Sequence, residues 1–243
     1  MVTIPAQFNG PDHSGNGGYV AGLIAQQVGT TQDGSGPVTS TLRIPPPLDV
    51  PLSWEHDSHH GGDLVRLLTA GGALVGEATP GTFARKVPPM PTTEQAAAGL
   101  SAYPGFEHHP FDRCFTCGTD RGEGDGLRLF TGPFSEGRTA GAWTPHPAFG
   151  DHDGTLDVPT TWAALDCPGG WAADFTRQAM VLGRMTAEVL RAPRTGEPLV
   201  ATGELSARDG RKFFASTALY TENGDLLGRA EQTWIEIDVT TFR

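Results

Sequence analysis

Residues 15–26 read GNGGYVAGLIAQ, and residues 167–178 read CPGGWAADFTRQ. At a shift of 152 positions, a Gly-Gly pair, an aromatic residue, an alanine and a glutamine of the first stretch meet residues of the same kind in the second. A second pair of segments matches at the same shift, GGALVGEATPGT at 71–82 and NGDLLGRAEQTW at 223–234. Because both matches occur in the same order and at one shift, they indicate an internal duplication.

Each half of the repeat shows the same order of elements. A Gly-Gly segment leads into an apolar stretch with helical spacing, and strand-like segments follow it. We predict strands at 38–44, 50–57, 63–70 and 73–84 in the first half, and at 181–191, 199–207, 211–221 and 226–237 in the second. Asp209-Gly210 and Asn223-Gly224 separate the last three segments and are typical of hairpin turns. One helix followed by a four-strand antiparallel meander predicts an α+β unit.

The arrangement expected for such a unit wraps the sheet around its helix, which is the hotdog architecture. Two copies in one chain predict a tandem, or double, hotdog, in which two helix-wrapped antiparallel sheets form an internal pseudo-dimer. We place the N-terminal unit at 1–88, a linker at 89–110 and the C-terminal unit at 111–243. The linker is rich in proline at its start and favours one short helix at 93–100.

Composition narrows the function classes. The chain has 243 residues and a formal net charge of −11. An acidic field of this kind repels phosphate backbones and anionic lipid, which excludes a broad nucleic-acid-binding or membrane-surface role. The sequence has neither an apolar run of transmembrane length nor a signal-peptide pattern, so we expect a cytoplasmic protein. Three cysteines are too few for a disulfide framework.

Three segments resemble the acyl-CoA thioesterases of tandem-hotdog type, the group around thioesterase II. Gly15–Gly22, with sequence GNGGYVAG, resembles that family's Gly-Gly helix start. Ala164-Leu165-Asp166 is similar to the Ser-Asp at the start of the family's second helix, and Ala230–Thr233 resembles the part of the last strand that carries a glutamine. The resemblance implies a hydrolase that cleaves an acyl-CoA or acyl-carrier thioester with an activated water.

Two of the family's three water-holding residues have counterparts in this sequence. The resemblance gives Asp166 and Gln232 the roles of the aspartate and the glutamine that hold the hydrolytic water. The family's third member, a threonine or serine, has no counterpart where it is expected, near Gly183, and Thr186 and Ser206 are the substitutes.

Asp166 also has a purely structural interpretation. It precedes Cys167-Pro168-Gly169-Gly170, and proline just inside a helix is common because its missing N–H would have no intrahelical acceptor. We therefore expect a helix to begin here with Asp166 as its N-cap. The alternative role is a general base that polarises water toward a thioester carbonyl. A carboxylate has enough lone pairs for both.

The start of the first helix offers further candidates. Gly17 and Gly18 let a carbonyl approach backbone N–H groups, so they are candidate oxyanion donors, and the alternative is close packing of helix on sheet. Asn16 can cap the helix or bond the thioester carbonyl. His13 can act as an acid or base, although a solvated loop histidine is the commoner case.

Cys114 and Cys117 form a Cys-x-x-Cys-Gly motif preceded by His108-His109. This pattern raises the question of zinc, but a closed zinc site needs four ligands and the chain has no second cysteine pair. We therefore expect no metal and no cofactor apart from the coenzyme A of the substrate. We expect Cys167 to serve as small buried packing.

Cationic residues are concentrated in the second half of the chain. A cluster of cationic residues in the second half is the candidate contact for coenzyme A phosphates, or else a solvated strand face; its members are Arg177, Arg184, Arg191, Arg194, Arg208, Arg211 and Lys212. A homo-oligomer is compatible with the sequence.

Two other functions are compatible with the same fold. One is a hotdog-type hydratase or dehydratase on acyl thioesters, which Asp12-His13 leaves open, and the other is a non-catalytic acyl-thioester binding protein.

Overall fold

The computed structural model describes residues 1–29, 36–57 and 64–240. The helices of more than one turn in this described part are α1 (Gly17–Ala25), α2 (Thr93–Ser101) and α3 (Val158–Ala172). The strands are β1 (Val38–Leu42), β2 (Leu52–Asp57), β3 (Leu64–Thr69), β4 (Leu74–Pro80), β5 (Gly132–Ser135), β6 (Arg138–Trp143), β7 (Met180–Val189), β8 (Leu199–Asp209), β9 (Lys212–Thr221) and β10 (Leu226–Glu236). Helices and antiparallel strands in one chain confirm the predicted α+β class.

The strands form one ten-stranded sheet in the order β2-β3-β4-β1-β7-β10-β9-β8-β6-β5. Neighbouring strands are antiparallel throughout. The sequence predicts two sheets, but β1 and β7 pair from Val38↔Ala187 to Thr41↔Arg184 and join them into one. This pairing satisfies two strand edges that would otherwise be open.

The predicted strands match the structure closely. The eight predicted segments correspond to β1–β4 and β7–β10, although position 63 lies outside the described residues. The expected hairpin turns are present, with Gly210 and Gly224 at φ values of 55° and 95°. The sequence analysis missed the β5–β6 hairpin, because its two strands are short and carry glycine and proline, which weaken a strand pattern.

The first helix begins where it was predicted, but the second does not. Asn16 caps α1, which starts at Gly17. In contrast, α3 starts at Val158 with Asp157 as its N-cap, so Asp166 lies inside the helix and the prediction of an N-cap at Asp166 is wrong. A proline also follows Asp157, at the start of the true first turn, and that signal outweighs Pro168 within the helix. The Gly-Gly pair of the second half therefore lies near the end of its helix.

Helices α1 and α3 cross at very short range. A Cβ at Gly18 would lie 2.4 Å from Asp166 Cβ, and a Cβ at Gly22 would lie 2.7 Å from Trp162 Cβ. Glycine at these two positions of α1 is therefore what allows the helices to approach. The crossing brings Asp166 next to the first turn of α1.

The linker contains α2, which confirms the short helix predicted at 93–100. A capping box of Thr92 and Gln95 fixes its start. The boundaries proposed for the two units stay a prediction. No helix in the described part of the chain is long and apolar enough to span a membrane.

Candidate active site

A cavity of about 230 Å³ opens beside the start of α1. It is enclosed by α3, by strands β7 and β10, and by the loops at 42–46 and 109–117. Most of its wall is apolar, with Leu42, Ile44, Phe111, Phe175, Met180, Leu182, Trp234 and Ile235 among the lining residues. We call it the site cavity. An apolar cavity with a few convergent polar groups is the usual form of a small-molecule site.

Asp166 is the carboxyl group of this cavity. Its side chain is buried, and Oδ2 accepts a hydrogen bond from the N–H of Gly18 at 2.8 Å. Oδ1 is buried and has no hydrogen-bond partner among the described residues. Burial raises the pKa of Asp166 well above its usual range, although the Gly18 hydrogen bond lowers it in part. In its ionised form, a positioned carboxylate with one uncommitted oxygen can accept a proton from water, and burial makes that carboxylate more basic.

The two glycines that begin α1 have different roles. The N–H of Gly18 is committed to Asp166, so it is not available as an oxyanion donor. Gly17 lines the site cavity, and no acceptor for its N–H is found in the part of the chain that the structure describes. The first N–H groups of a helix have no intrahelical partner and carry the positive end of the helix dipole. Gly17 is therefore the better candidate for stabilising negative charge.

Asn16 and His13 are placed differently with respect to the cavity. Asn16 is buried and lines it; Oδ1 accepts the N–H of Tyr19 at 2.9 Å, which is the predicted capping bond. Its Nδ2 donates to Cys114 Sγ at 3.5 Å. His13 is exposed and lies on a separate surface depression, outside the site cavity. The structure thus favours the solvated-loop interpretation of His13.

Gln232 lies behind Asp166 and does not line the cavity. Its Nε2 donates to the carbonyls of Leu165 and Asp166 at 2.7 and 2.9 Å, and its Oε1 accepts from Trp234 Nε1 at 2.9 Å. The Nε2 group therefore holds α3 on β10, and Oε1 accepts a hydrogen bond within β10. A role in orienting water stays a prediction, and this geometry favours a structural role.

The hydroxyl groups near the site differ from the expected ones. Gly183 lines the cavity, as the resemblance implies, but brings no hydroxyl. Thr186 is bonded to Thr39, with 2.7 Å between their hydroxyl oxygens, and Ser206 is exposed on β8. Ser14 is buried and lines the cavity, although the sequence analysis gave it no role. Its loop position before α1 offers no periodicity that reveals an inward-facing side chain.

Three thiols lie together in the cavity wall. Cys114, Cys117 and Cys167 are all buried, and their sulfur atoms lie within 4.8 Å of one another. We call them the thiol cluster. Burial raises the pKa of Cys117 and Cys167 well above the usual range, whereas hydrogen bonds from these two thiols lower the pKa of Cys114. His109 also lines the cavity, and burial lowers its pKa. The sequence spacing predicted that Cys114 and Cys117 lie close together. It gave no sign that Cys167, which is 50 positions after Cys117, lies beside them.

Comparison with known proteins identifies the fold. No protein-family model matches the sequence, and no curated protein matches it either. A protein from Novosphingobium aromaticivorans that carries a provisional thioesterase name superposes with a TM-score of 0.63 at 16% identity, over 98% of this chain and 94% of that one. The tesB protein of Mycobacterium avium subsp. paratuberculosis gives 0.60 at 16% identity, over 94% and 89%.

A third similar structure identifies the architecture. It is a protein of unknown function with a hot dog fold from Alicyclobacillus acidocaldarius, with a TM-score of 0.59 at 13% identity over 97% of this chain and 92% of that one. The chain has the hotdog fold. The resemblance seen in the sequence is thereby confirmed for the fold, over nearly the whole chain.

The arginines of this hotdog chain do not form one free patch. Of the predicted cluster, Arg177, Arg191 and Arg208 each pair with a carboxylate, and Arg184 donates to Thr41. Among the described residues that line the site cavity, the one arginine is Arg43, which pairs with Glu77. The side chain of Arg43 is 50% exposed, so it can reach an anionic group at the cavity mouth.

Proposed function

We propose that this protein hydrolyses an acyl thioester in the site cavity, with Asp166 as the general base. One observation carries the proposal: a buried carboxyl group with an uncommitted oxygen lines an apolar cavity beside the N–H of Gly17, and neither that oxygen nor this N–H has a hydrogen-bond partner among the described residues. The apolar wall suits an acyl chain, and the two polar groups suit the attack of water on its carbonyl.

The reaction follows from these two groups. Asp166 Oδ1 takes a proton from water as the water oxygen bonds to the thioester carbonyl carbon. The carbonyl oxygen becomes negative, and the Gly17 N–H at the positive end of α1 stabilises it. The carbon–sulfur bond then breaks, and the leaving thiolate takes up the proton. The products are a carboxylic acid and a free thiol.

The fold supports this class of substrate. Two of the structural relatives carry provisional thioesterase names, one from Novosphingobium aromaticivorans and one from Thermobifida fusca. We further propose that the ten-stranded sheet is built from two hotdog units, with β1 and β7 as the seam of an internal pseudo-dimer. Coenzyme A is the proposed thiol carrier, with Arg43 at the cavity mouth for one of its phosphates. No other cofactor enters these steps, and the proposed compartment is the cytoplasm.

Release of free thiol tests the proposal directly. The purified protein is assayed with acyl-CoA thioesters of short, medium and long chains and with an acyl-carrier thioester. Asp166→Asn should lower turnover at least ~100-fold, which is the low end of general-base contributions. The fold should survive, because the asparagine Oδ1 still accepts the Gly18 N–H. Circular dichroism and thermal melting verify this.

Asp174→Asn is the matched control. Asp174 lies on a turn at φ 67°, a conformation that asparagine tolerates, and pairs with Arg177 away from the cavity. It should keep full activity. Saturable binding of acyl-CoA without thiol release would instead support the binding-protein alternative, and near-normal turnover by Asp166→Asn would refute the assigned base. Loss of an enoyl thioester would identify a hydratase.

A further inference from the structure

We propose that Cys114, Cys117 and Cys167 bind a thiophilic divalent metal ion, with zinc as the expected one. Metal binding here does not depend on the proposed hydrolysis, although both concern the site cavity. It also revises the expectation of no metal, because the fold adds a third thiol that the sequence spacing did not reveal. Thiolates are the protein ligands that select zinc and related soft ions.

The spacing of the sulfur atoms fits a tetrahedral ion. Zn–S bonds of about 2.3 Å at tetrahedral angles place neighbouring sulfurs about 3.8 Å apart. Cys114 Sγ and Cys167 Sγ are 3.8 Å apart, and Cys117 Sγ lies within 4.8 Å of both. Small side-chain rotations are enough to close the remaining gap.

The backbone around Cys114 and Cys117 forms a tight turn. The N–H of Gly118 donates to the Cys114 carbonyl at 2.8 Å. A Cβ at Gly118 would lie 2.5 Å from that carbonyl oxygen, so only glycine fits. The turn presents the two thiols on one side, toward α3, where Cys167 completes the set.

Three side-chain N–H groups surround the thiol cluster. Asn16 Nδ2 lies 3.5 Å from Cys114 Sγ. His109 Nε2 lies 3.4 Å from Cys117 Sγ and 3.1 Å from the Cys117 carbonyl oxygen, so its N–H is shared between these two acceptors. The indole N–H of Trp171 is buried, has no hydrogen-bond acceptor among the described residues, and faces Cys117. Buried N–H donors aimed at sulfur stabilise thiolates rather than thiols, and an unpaired indole N–H is otherwise costly.

A bound cation would offset the charge of the deprotonated thiols. Binding converts Zn²⁺ and three thiols into a tris-thiolate complex of net charge −1 and releases three protons, so the sums balance. The surrounding N–H groups stabilise the remaining charge. His109 is a donor to this shell and not a ligand, because its Nδ1 accepts the Phe111 N–H at 2.9 Å and its proton is therefore on Nε2. The fourth position faces the site cavity, which all three cysteines line.

The ion would join the loop at 109–117 to the middle of α3. Cys167 follows Asp166 directly, so the metal would also fix the helix turn that carries the carboxyl group. Structural zinc sites contribute their binding energy to folding. Removal of the ion should therefore lower thermal stability.

Metal content tests the site without any assay of activity. The reduced protein is incubated with ZnCl₂, desalted and analysed for metal and protein. We expect about one zinc per chain, and Cys114→Ser and Cys167→Ser should each retain less than a tenth of that. Thr116→Ser is the matched control; it lies between the paired cysteines, is fully buried, and keeps its hydroxyl bond to the Ala163 carbonyl. It should bind zinc as the wild type does.

Three further readouts separate the possible outcomes. The Co²⁺-substituted protein should show sulfur-to-cobalt charge transfer and intense visible bands, both of which are lost in Cys167→Ser. His109→Gln should weaken zinc affinity about 10–100-fold, as outer-shell partners do, whereas His108→Gln at the exposed neighbour should not. Asp166→Asn should still bind zinc, which keeps this test separate from the hydrolysis.

The proposal is overturned if the folded, reduced wild-type protein holds no stoichiometric zinc after loading. It is equally overturned if Cys167→Ser binds as much metal as the wild type. The alternative is a redox-active pair of cysteines. Mass spectrometry of the isolated protein under non-reducing conditions tests it, because a stoichiometric disulfide within the thiol cluster would identify such a pair and overturn the metal site.

Discussion

At the first turn of α1, the N–H of Gly18 reaches across the helix crossing to Asp166 at 2.8 Å. This single contact gives the acid its position and leaves its second oxygen free. A residue with a Cβ in place of Gly18 would push Asp166 away. Glycine at this position therefore both allows the close helix packing and keeps the acid in place. The packing alternative weighed for the Gly-Gly pair thus holds for both glycines, because a Cβ at Gly17 would lie 2.5 Å from Leu182 Cβ. The oxyanion role proposed for Gly17 stays a prediction.

Gly18→Ala should therefore destabilise the protein. The added methyl would lie 2.4 Å from Asp166 Cβ and 2.8 Å from the Trp162 carbonyl oxygen, and backbone atoms cannot rotate away. Overpacking of this kind costs about 1–3 kcal/mol of the free energy of unfolding, measured by urea denaturation. Gly122→Ala is the control, because a Cβ there meets nothing within 4 Å. Equal stability of the two variants would contradict the tight crossing.

Tyr19 gives a pH dependence with a definite sign. It stacks on Phe8 with 4.0 Å between ring centroids, and burial, assisted by the negative charge of Asp157, raises its pKa from 10 to about 12. Above pH 10 the unfolded chain loses this proton while the folded chain keeps it. The stabilising contribution is therefore complete below pH 10 and is lost as the pH rises to 12.

Tyr19→Phe removes this titrating group. The free energy of unfolding, measured by denaturant melts between pH 8 and 11.5, should fall less steeply with pH in the variant than in the wild type. The slope should not vanish, because burial also raises the pKa of Tyr103 and Tyr220. Identical slopes would show that Tyr19 ionises as freely in the folded chain as in the unfolded one.

Several polar bonds from surrounding elements hold α3 in place. Thr116 donates to the Ala163 carbonyl, Thr217 and Gln232 to that of Leu165, and Thr139 to that of Pro168. Proline at position 168 removes one N–H from the helix ladder. These side chains keep a buried helix satisfied and fixed against the sheet and its preceding loop.

Gln232→Ala should lower the free energy of unfolding by at least ~2 kcal/mol. It leaves the Asp166 carbonyl and the Trp234 N–H without this partner in a buried site, and each such group costs about 1–3 kcal/mol. Thr233→Ala is the control, since the neighbouring residue points to the opposite face of β10 and should change stability by less than about 1 kcal/mol. If turnover per folded molecule falls while stability does not, Gln232 acts on water as first predicted.

For the whole molecule, the two halves are alike in fold but not in chemistry. Asp166 is the ninth residue of α3, and the ninth residue of α1 is Ala25. The acid therefore comes from the second half, and the free Gly17 N–H comes from the first. The matched position of the first helix therefore lacks a carboxyl group.

We accordingly expect one active site per chain. Titration with a tight, non-hydrolysable acyl-CoA analogue, followed by calorimetry, should give about one binding site per chain. Asp166→Asn should bind the analogue at the same stoichiometry, because it retains the cavity. Two equivalent sites would require a second acid that the first half does not provide at the matched helix position.

The sequence by itself determined the elements that depend on neighbouring residues. The strands β1–β4 and β7–β10, the turns at Gly210 and Gly224 and the start of α1 all follow from side-chain alternation, glycine conformation and capping. These interactions involve only a few neighbouring residues, so short segments of the sequence specify them. The same local signals predicted the hotdog arrangement and made Gly17 a candidate, whereas the resemblance to the thioesterases made Asp166 one. The catalytic roles of both residues stay predictions.

The tertiary structure alone decided the features that join distant parts of the chain. Tertiary packing placed Pro168 inside α3, where side chains from β9 and β10 bond the nearby carbonyl of Leu165. Pairing of β1 with β7 made one sheet of two, and the helix crossing committed the Gly18 N–H to Asp166. Cys167 joined Cys114 and Cys117 for the same reason. Such contacts depend on packing in three dimensions, and no spacing along the chain encodes them.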